Sequence, residues 1–483
     1  MTKKINASRR EFLRAASLMS VVGASGAPFA LNLMTMAAAS AQTAPQSDYK
    51  AIVCLFFSGG NDHANTVLAT DPTSWSTYQS VRTTSGADSI ALPAPGAAGG
   101  VLPIVPTTAQ AGREFALHPS LGPLKDLFDA GRAAVIANVG PLIVPATLAQ
   151  YKAGSVPLPP KLFSHNDQQS LWQSYKPEGA SFGWGGRMGD LLASMNSNAI
   201  FTSVSASGNA VFLSGKTINQ YQVSSAGAVP IGGLSGSLFG STTAGNPLAA
   251  IISGGGNANL FEKDHAAIVK RSIDAQAILA TAMLPAGTGG VANPTQYTNP
   301  NTGALANNSL ATQLQTVARV IGGRAALGVK RQVFFVSIGS FDTHDNQRVN
   351  QGDLLARVAH ALSYFDTTLS TLGGSDLRPS VTLFTASDFG RTFTSNGDGT
   401  DHGWGSHHFV AGGAVKGKDI YGTFPVTALG HAQDVGSGSL LPGISVDQYG
   451  GTLARWFGLS DAQIGDVFPN IANFTKRDLG FMG

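Results

Sequence analysis

Acidic and imidazole side chains recur in stretches that follow short apolar runs or lie in Gly-rich loops beside them: Asp62 and His63, Asp342 and His344, Asp388, then Asp401, His402, His407 and His408. Carboxylate and imidazole donors without thiolates suit Zn²⁺, Mn²⁺, Mg²⁺ or Ca²⁺, according to the balance of oxygen and nitrogen. Several Asp with two or three His favour zinc or manganese, as one ion or two, and a pair of ions clamps the attacking and leaving oxygens of a phosphoryl or sulfuryl transfer. Each residue also has a plain structural reading. Asp62 in its Gly-Gly-Asn-Asp turn suits a helix cap, His402 a loop ring bonded to backbone, and His407-His408 one buried and one exposed ring. A shared site is favoured because alternate residues of an extended Asp342-x-His344 project to one side, and because the clusters follow successive strands. Arg391 and Arg187 are candidate anion clamps or structural ion-pair partners.

The elements that would position these groups alternate. An apolar strand over 51–57 ends in Ser58-Gly59-Gly60-Asn61-Asp62. Residues 81–112, rich in Gly, Pro, Ala and Thr, read as an irregular surface excursion. A helix over 120–131 leads into a strand over 133–139. Beyond a proline-rich bend, Ser164 or Asn166 caps a short helix running to Tyr175. Residues 196–258 shift to Gly, Ser, Ala, Thr and Asn and read as small strands and loops. Helices follow at 260–285 and 308–324, separated by an uncharged loop at 286–307 that is the best candidate for disorder. The alternation resumes with strand 332–338, helix 350–371 and strand 381–385. This pattern predicts an α/β protein, a three-layer α/β/α arrangement around a mostly parallel, doubly wound sheet, with the site along one sheet edge and a Gly/Ser-rich insert or cap at 196–307 that is partly flexible.

Composition narrows the function classes. The chain has 483 residues with 12% charged, 43% hydrophobic, 59 Gly and 1 Cys. Cys54 lies inside the first apolar run, where an inert buried thiol is expected. Residues 1–41 hold Lys3, Lys4, Arg9, Arg10 and Arg14 against Glu11, a net +4 within a total of +3, which leaves the rest of the chain at −1. No basic patch remains to recommend a nucleic-acid partner. The leader itself, Ser8-Arg9-Arg10-Glu11-Phe12-Leu13, an Ala/Met/Leu-rich segment and Ala39-Ser40-Ala41, has the form of a twin-arginine signal peptide with a cleavage site. Gly23, Gly26, Pro28 and Asn32 interrupt its apolar run, which argues against a stable membrane anchor. The expectation is a leader over 1–41, carriage by the twin-arginine translocase, and a mature domain over 42–483 in the periplasm or outside the cell.

Read together, Gly59-Gly60-Asn61-Asp62-His63-Ala64-Asn65-Thr66, Leu117-His118-Pro119-Ser120-Leu121, Ser164-His165-Asn166-Asp167-Gln168, Phe341-Asp342-Thr343-His344-Asp345-Asn346-Gln347, Ser387-Asp388-Phe389-Gly390-Arg391-Thr392 and Thr400-Asp401-His402-Gly403 resemble, in that order, the exported family called domain of unknown function 1501. The resemblance spans about residues 1–470 apart from 196–258, and it implies an alkaline-phosphatase-like fold related to sulfatases. It further implies Asp62, Asp342, His344 and Asp388 as metal ligands, with a final imidazole from His402, His407 or His408. Phe389 stands where that superfamily usually has a second-metal His, and the Asp342–His344 spacing is short, which puts the second of one or two divalent ions in question. Ser164 occupies the topological slot of the nucleophile, with a plain helix cap as its other reading. His165 and Asp167 beside it are candidates for acid–base or ligand work. Asn65, Asp167 and Arg391 are the expected substrate contacts. Cys54 offers no route to the modified Cys of sulfatases. The function implied is an exported metal-dependent hydrolase of phosphate or sulfate esters of a small molecule or polymer. The alternative is a non-catalytic periplasmic binding or assembly protein retaining part of a metal site.

Overall fold

The computed structural model describes residues 48–483 apart from 85–88, 231–232, 235–239, 244 and 254–258, so the expected leader lies outside the described residues. The strands of the main sheet, numbered in chain order, are β1 (Lys50–Phe57), β2 (Ala133–Gly140), β3 (Ser203–Ser205), β4 (Tyr221–Ser224), β5 (Gly227–Ala228), β6 (Arg331–Ile338), β7 (Val381–Ser387), β8 (Ser406–Ala411), β9 (Ile420–Tyr421) and β10 (Ile444–Ser445). Their order is β9-β2-β8-β7-β1-β6-β3-β4-β5, with β10 also paired to β2. β1 pairs parallel with both β6 and β7, so three polar loops leave adjacent strands at the same sheet edge.

β1 is buried almost throughout, and its side chains divide between the two faces by simple alternation. Ala51, Val53, Leu55 and Phe57 join one core with residues of the helices Gly122–Asp129, Ser309–Gly322 and Gln347–Leu369. Ile52, Cys54 and Phe56 join the other with Trp172, Trp184, Met188 and Leu453, from helices His165–Ser174, Trp184–Leu192 and Val446–Phe457. Helices thus cover both faces, as the alternating sequence predicts for an α/β/α protein. Cys54 is buried and its thiol is pushed well up by burial.

Several local expectations change. The excursion at 81–112 is preceded by a helix, Pro72–Arg82, capped by Asp71, and contains the strand Leu102–Ile104. Its weak apolar patterning hid the helix, since Tyr78 is its main core contact. The 196–258 stretch supplies β3 and β4, which extend the main sheet beyond β6. The loop 286–307 is pinned despite its lack of charge. Tyr297 donates to Asp353 at 2.6 Å, Asn299 to the same carboxylate at 2.8 Å, and Gln315 to the Val291 carbonyl at 3.1 Å. Among the described residues no helix is long and apolar enough to cross a membrane.

Buried imidazoles give the fold a pH dependence. Burial holds His63 down to about 4, and His118 and His408 to about 3. His118 Nδ1 accepts from the Ser120 N–H at 3.0 Å, a bond that protonation of that nitrogen would break. Because the folded values lie below the unfolded value of about 6.5, this stability is present above that pH and lost as the pH falls through it. At pH 5 each ring costs about 2 kcal/mol and the three about 6 kcal/mol, a sizeable share of an ordinary domain's stability. Denaturant midpoints measured from pH 7.5 to 5 are expected to fall steeply, and a flat profile would contradict this account.

Candidate metal centre

The loops after β1, β6 and β7 meet at the sheet edge because two glycines let them. Gly59 has φ +117°, and a Cβ there would lie 2.3 Å from the Asp342 backbone nitrogen; at Gly60, φ +87°, it would lie 2.4 Å from the Phe389 ring. Only glycine tolerates both the conformation and the contact. Phe341 N–H donates to the Ser58 carbonyl at 3.1 Å, and Phe57 stacks on Phe341, which fixes the turn that delivers Asp342. His402 arrives on a short antiparallel bridge to Arg391, closed by Gly403 N–H to the Gly390 carbonyl at 2.7 Å.

Around Asp342 three imidazoles are arranged alike. His165 Nδ1 faces Asp388 Oδ2 at 2.7 Å, His344 Nδ1 faces Asp401 Oδ1 at 3.1 Å, and His402 Nδ1 faces the Phe163 carbonyl at 2.8 Å. These partners are acceptors for a proton on Nδ1, which turns each Nε2 to the other side of its ring. Those atoms converge. His165 Nε2 is 3.2 Å from Asp342 Oδ2, while His344 and His402 Nε2 are 3.1 Å and 3.3 Å from Asp342 Oδ1. The His344 and His402 Nε2 atoms are 3.0 Å apart. With Nε2 deprotonated, such a set of imidazole nitrogens around one carboxylate is a donor set for a cation. Moreover, His165 Nε2 is buried without a hydrogen-bond partner.

The donor set passes a test for a metal. Two ligands bound at about 2.0–2.1 Å with a tetrahedral angle lie about 3.3 Å apart, close to the separations seen here. His165, Asp342 and His402 place one donor atom each within 4.8 Å of one another, the one such group among the described residues. Outer partners orient the rings in the manner of zinc-bound histidines. The hydrogen-bonded carboxylates Asp342, Asp388 and Asp401 outnumber the single guanidinium of Arg391, so the field favours a divalent cation. The Asp388 hydrogen bond holds His165 above the usual imidazole value, whereas burial holds His402 below it and keeps its lone pair available. Burial alone would raise the Asp342 carboxyl, but Arg391 at 2.5 Å keeps it below the usual range.

The other expected site residues lie elsewhere or do other work. His165, expected as acid–base or ligand, is at the centre. Asp388 is fully buried and its Oδ2 accepts from His165 and from Gln169 at 2.8 Å, so it orients the ring. Asp62 is not among the converging groups. Both its oxygens meet the buried guanidinium of Arg82, and Gln347 Nε2 donates to it at 2.6 Å. It also caps the short turn His63–Asn65, the structural reading of its motif. His407 and His408 are both buried on β8 and face opposite sides of the sheet. His407 Nδ1 accepts from Asn138 N–H at 3.1 Å, and His408 packs edge-on to Trp172. They are sheet residues because Ser-His-His-Phe-Val-Ala is a buried strand.

Among the expected substrate contacts, Asn65 is tied to Tyr78, Arg82 and the Ile90 carbonyl. Arg391 is fully buried, its donors spent on Asp342, Thr400 and the Gly59 carbonyl. It holds Asp342 and has no free face for an anion. Ser164 is the N-cap residue of helix His165–Ser174 but makes no side-chain cap bond; its hydroxyl donates to Asp167 at 2.8 Å. Asp167 also accepts from Glu178 N–H at 3.1 Å, and its carboxyl is held below the usual range chiefly by the Ser164 hydrogen bond. Phe389 is buried with its ring 4.8 Å from that of His165 and 4.7 Å from that of His402, an apolar wall behind both rings.

Arg82, Gln169 and the Phe163 carbonyl have no motif that marks them, and Gln347 closes the Phe341–Gln347 motif without a role legible in sequence. Gln347 links the two acidic centres. Its Oε1 accepts from Thr400 Oγ1 at 2.6 Å, and Thr400 Oγ1 accepts in turn from Arg391 Nε at 3.2 Å. Phe163 has φ +70°, a conformation rare for a bulky residue, and this aims its carbonyl at His402.

No curated protein sequence matches the chain. Two solved structures resemble it at 10% identity and a TM-score of 0.35 each. One is described as Ps i-CgsB in complex with k-i-k-neocarrahexaose, aligned over 88% of this chain and 77% of that one. The other is the PsFucS1 sulfatase from Pseudoalteromonas sp., aligned over 94% and 76%. A family described as Protein of unknown function (DUF1501) matches residues 270–467, the part that contains Asp342, His344, Asp388 and His402. Over residues 270–467, then, the chain carries the pattern of the DUF1501 family that its ordered motifs resemble.

Proposed function

We propose that this protein is an exported, metal-dependent hydrolase of phosphate or sulfate esters, with its ion held by His165, Asp342 and His402 and with His344 as a further donor. One observation carries the reading: imidazoles anchored through Nδ1 turn their Nε2 atoms onto one carboxylate, and the buried His165 Nε2 makes no hydrogen bond, its nearest partner being Asp342 Oδ2 at 3.2 Å. A bound divalent ion would supply Lewis-acid polarisation of a phosphoryl or sulfuryl oxygen. Zinc fits a nitrogen-rich set with one carboxylate best, ahead of manganese, magnesium and calcium.

The chain's own groups set the rest. Asp388 and Gln169 hold the His165 ring in one tautomer, Arg391 fixes Asp342, and Phe389 excludes water from behind the rings. Ser164 is paired with a carboxyl of low basicity, which makes it a poor nucleophile, so water is the attacking group in this reading. The leader motif supports export through the twin-arginine translocase to the periplasm or beyond. A non-catalytic binding or assembly role is the second reading. It is supported by the internal commitment of Arg82 and Arg391, which leaves neither as an anion clamp.

The test is to purify the mature protein, load it with zinc or manganese, and measure bound metal and turnover of 4-nitrophenyl phosphate, its diester and the sulfate. The expected result is one ion per chain and hydrolysis of at least one ester. Metal binding without turnover of any ester would favour the second reading. Failure to bind zinc or manganese at all, with no turnover, would remove the hydrolase reading and favour a binding or assembly role.

A further inference from the structure

The face of helix His165–Ser174 next to His165 lines a groove that the metal centre does not use. Asn166, Gln169 and Gln173 recur at spacings of three, four and seven and so share that face. The groove has a volume of about 370 Å³. Asn209 completes a set of four amides, and four serines, Ser58 and Ser207 among them, add hydroxyls. Gln173 Oε1 already accepts from Phe212 N–H at 3.0 Å, Asn209 Oδ1 from Gln220 at 3.1 Å, and the Ser207 and Ser337 hydroxyls pair at 2.9 Å. A ligand would therefore meet the remaining donors and acceptors of these groups and the exposed Asn166 amide. Its floor is formed by Phe56 and Phe335 at the carboxyl ends of β1 and β6, with ring centroids 6.1 Å apart. Glu178 is the one charged lining residue, and no Lys, Arg or His of the described residues lines it. Gln169 joins the two sites, because the amide that lines the groove donates to Asp388, the carboxylate that holds His165.

A surface of this kind discriminates by chemistry. Amides and hydroxyls offer both donors and acceptors to hydroxyl groups, and apolar rings at the floor accept C–H faces. Polyphosphates and other anions find no cation here and meet the Glu178 carboxylate. We infer that the groove binds the alcohol portion of the ester and that this portion is an uncharged, hydroxyl-rich, sugar-like group. This inference rests on the hydrolase reading and deepens it, since the charged end of the ester would lie at the metal centre and the neutral end in the groove.

The experiment separates the two claims. Zinc-loaded protein is examined by saturation-transfer NMR with lactose, cellobiose and maltose, none of which is an ester, and with N-acetyl-trialanine amide as a neutral peptide probe. At least one disaccharide is expected to receive saturation and the peptide none. Ser207→Phe, which fills the groove from its rim, and Asn166→Ala, which removes an amide, are each expected to weaken disaccharide binding about tenfold, the scale of one or two lost hydrogen bonds. Retained thermal transitions establish that both variants are folded. No transfer to any disaccharide, equal transfer to the peptide, or unchanged binding in both variants overturns the inference. Ester turnover, measured separately, tests the hydrolase reading, so disaccharide binding without turnover leaves the groove standing and removes the reaction.

Discussion

Asp342→Asn is expected to lower zinc affinity strongly and to reduce kcat/KM for the best ester at least about a thousandfold, on the order of 4 kcal/mol of lost transition-state stabilisation. The Asn variant is the informative one. Its carbonyl oxygen can still accept from Arg391, which is fully buried. Alanine would instead leave a buried guanidinium without its counter-charge and would confuse loss of chemistry with loss of fold. The comparison is Asp388→Asn, which keeps the shape but weakens the grip on His165 Nδ1. Its effect should be about 10–100-fold in metal affinity, as for other residues that orient a ligand. Calorimetric zinc titration and ester kinetics on the two variants give the ordering directly. Equal, near-wild-type affinities would mean that the convergence of His165, His402 and His344 on Asp342 holds no ion.

The parts of this arrangement that were legible in sequence share a physical basis. β1, β6 and β7 announce themselves as apolar runs long enough to be buried on both faces, and the polar residues after them fall at carboxyl ends by topology. Asp342, His344 and Asp388 were therefore legible as neighbours. His165 was legible as an acid–base or ligand candidate beside Ser164, but its place next to Asp342 and His402 was not, because that depends on a helix crossing from another segment. His407 and His408 misled for the opposite reason: two imidazoles beside a Gly-rich loop look like ligands, and only pairing with β7 and β2 shows them to be strand residues. Asp62 misled most. Its partner Arg82 lies 20 residues on, at the end of a helix with little apolar periodicity, and no spacing rule links them.

That pairing makes Arg82 the residue whose loss should damage the fold most. Arg82 and Asp62 are both 0% exposed in their side chains. Besides both oxygens of Asp62, the guanidinium donates to Asn65 Oδ1 at 3.1 Å and to the carbonyls of Phe393 and Thr392 at 3.0 Å each. Arg82→Met keeps most of the volume and removes the charge, leaving the Asp62 carboxylate buried with Gln347 and one backbone N–H. The expected cost is about 3–5 kcal/mol, a large fraction of an ordinary folding free energy. Asp62→Asn in the same chain removes the stranded charge and should recover part of that loss, a coupling that a double-mutant cycle in urea measures. The damage should also reach the metal centre. Asp62 holds Gln347, Gln347 holds Thr400, and Thr400 holds Arg391 against Asp342. Zinc affinity in Arg82→Met, measured below its unfolding midpoint, is therefore expected to fall even though no ligand has changed. If stability fell and affinity did not, the hydrogen-bonded path from Asp62 to Asp342 would be support for the fold alone.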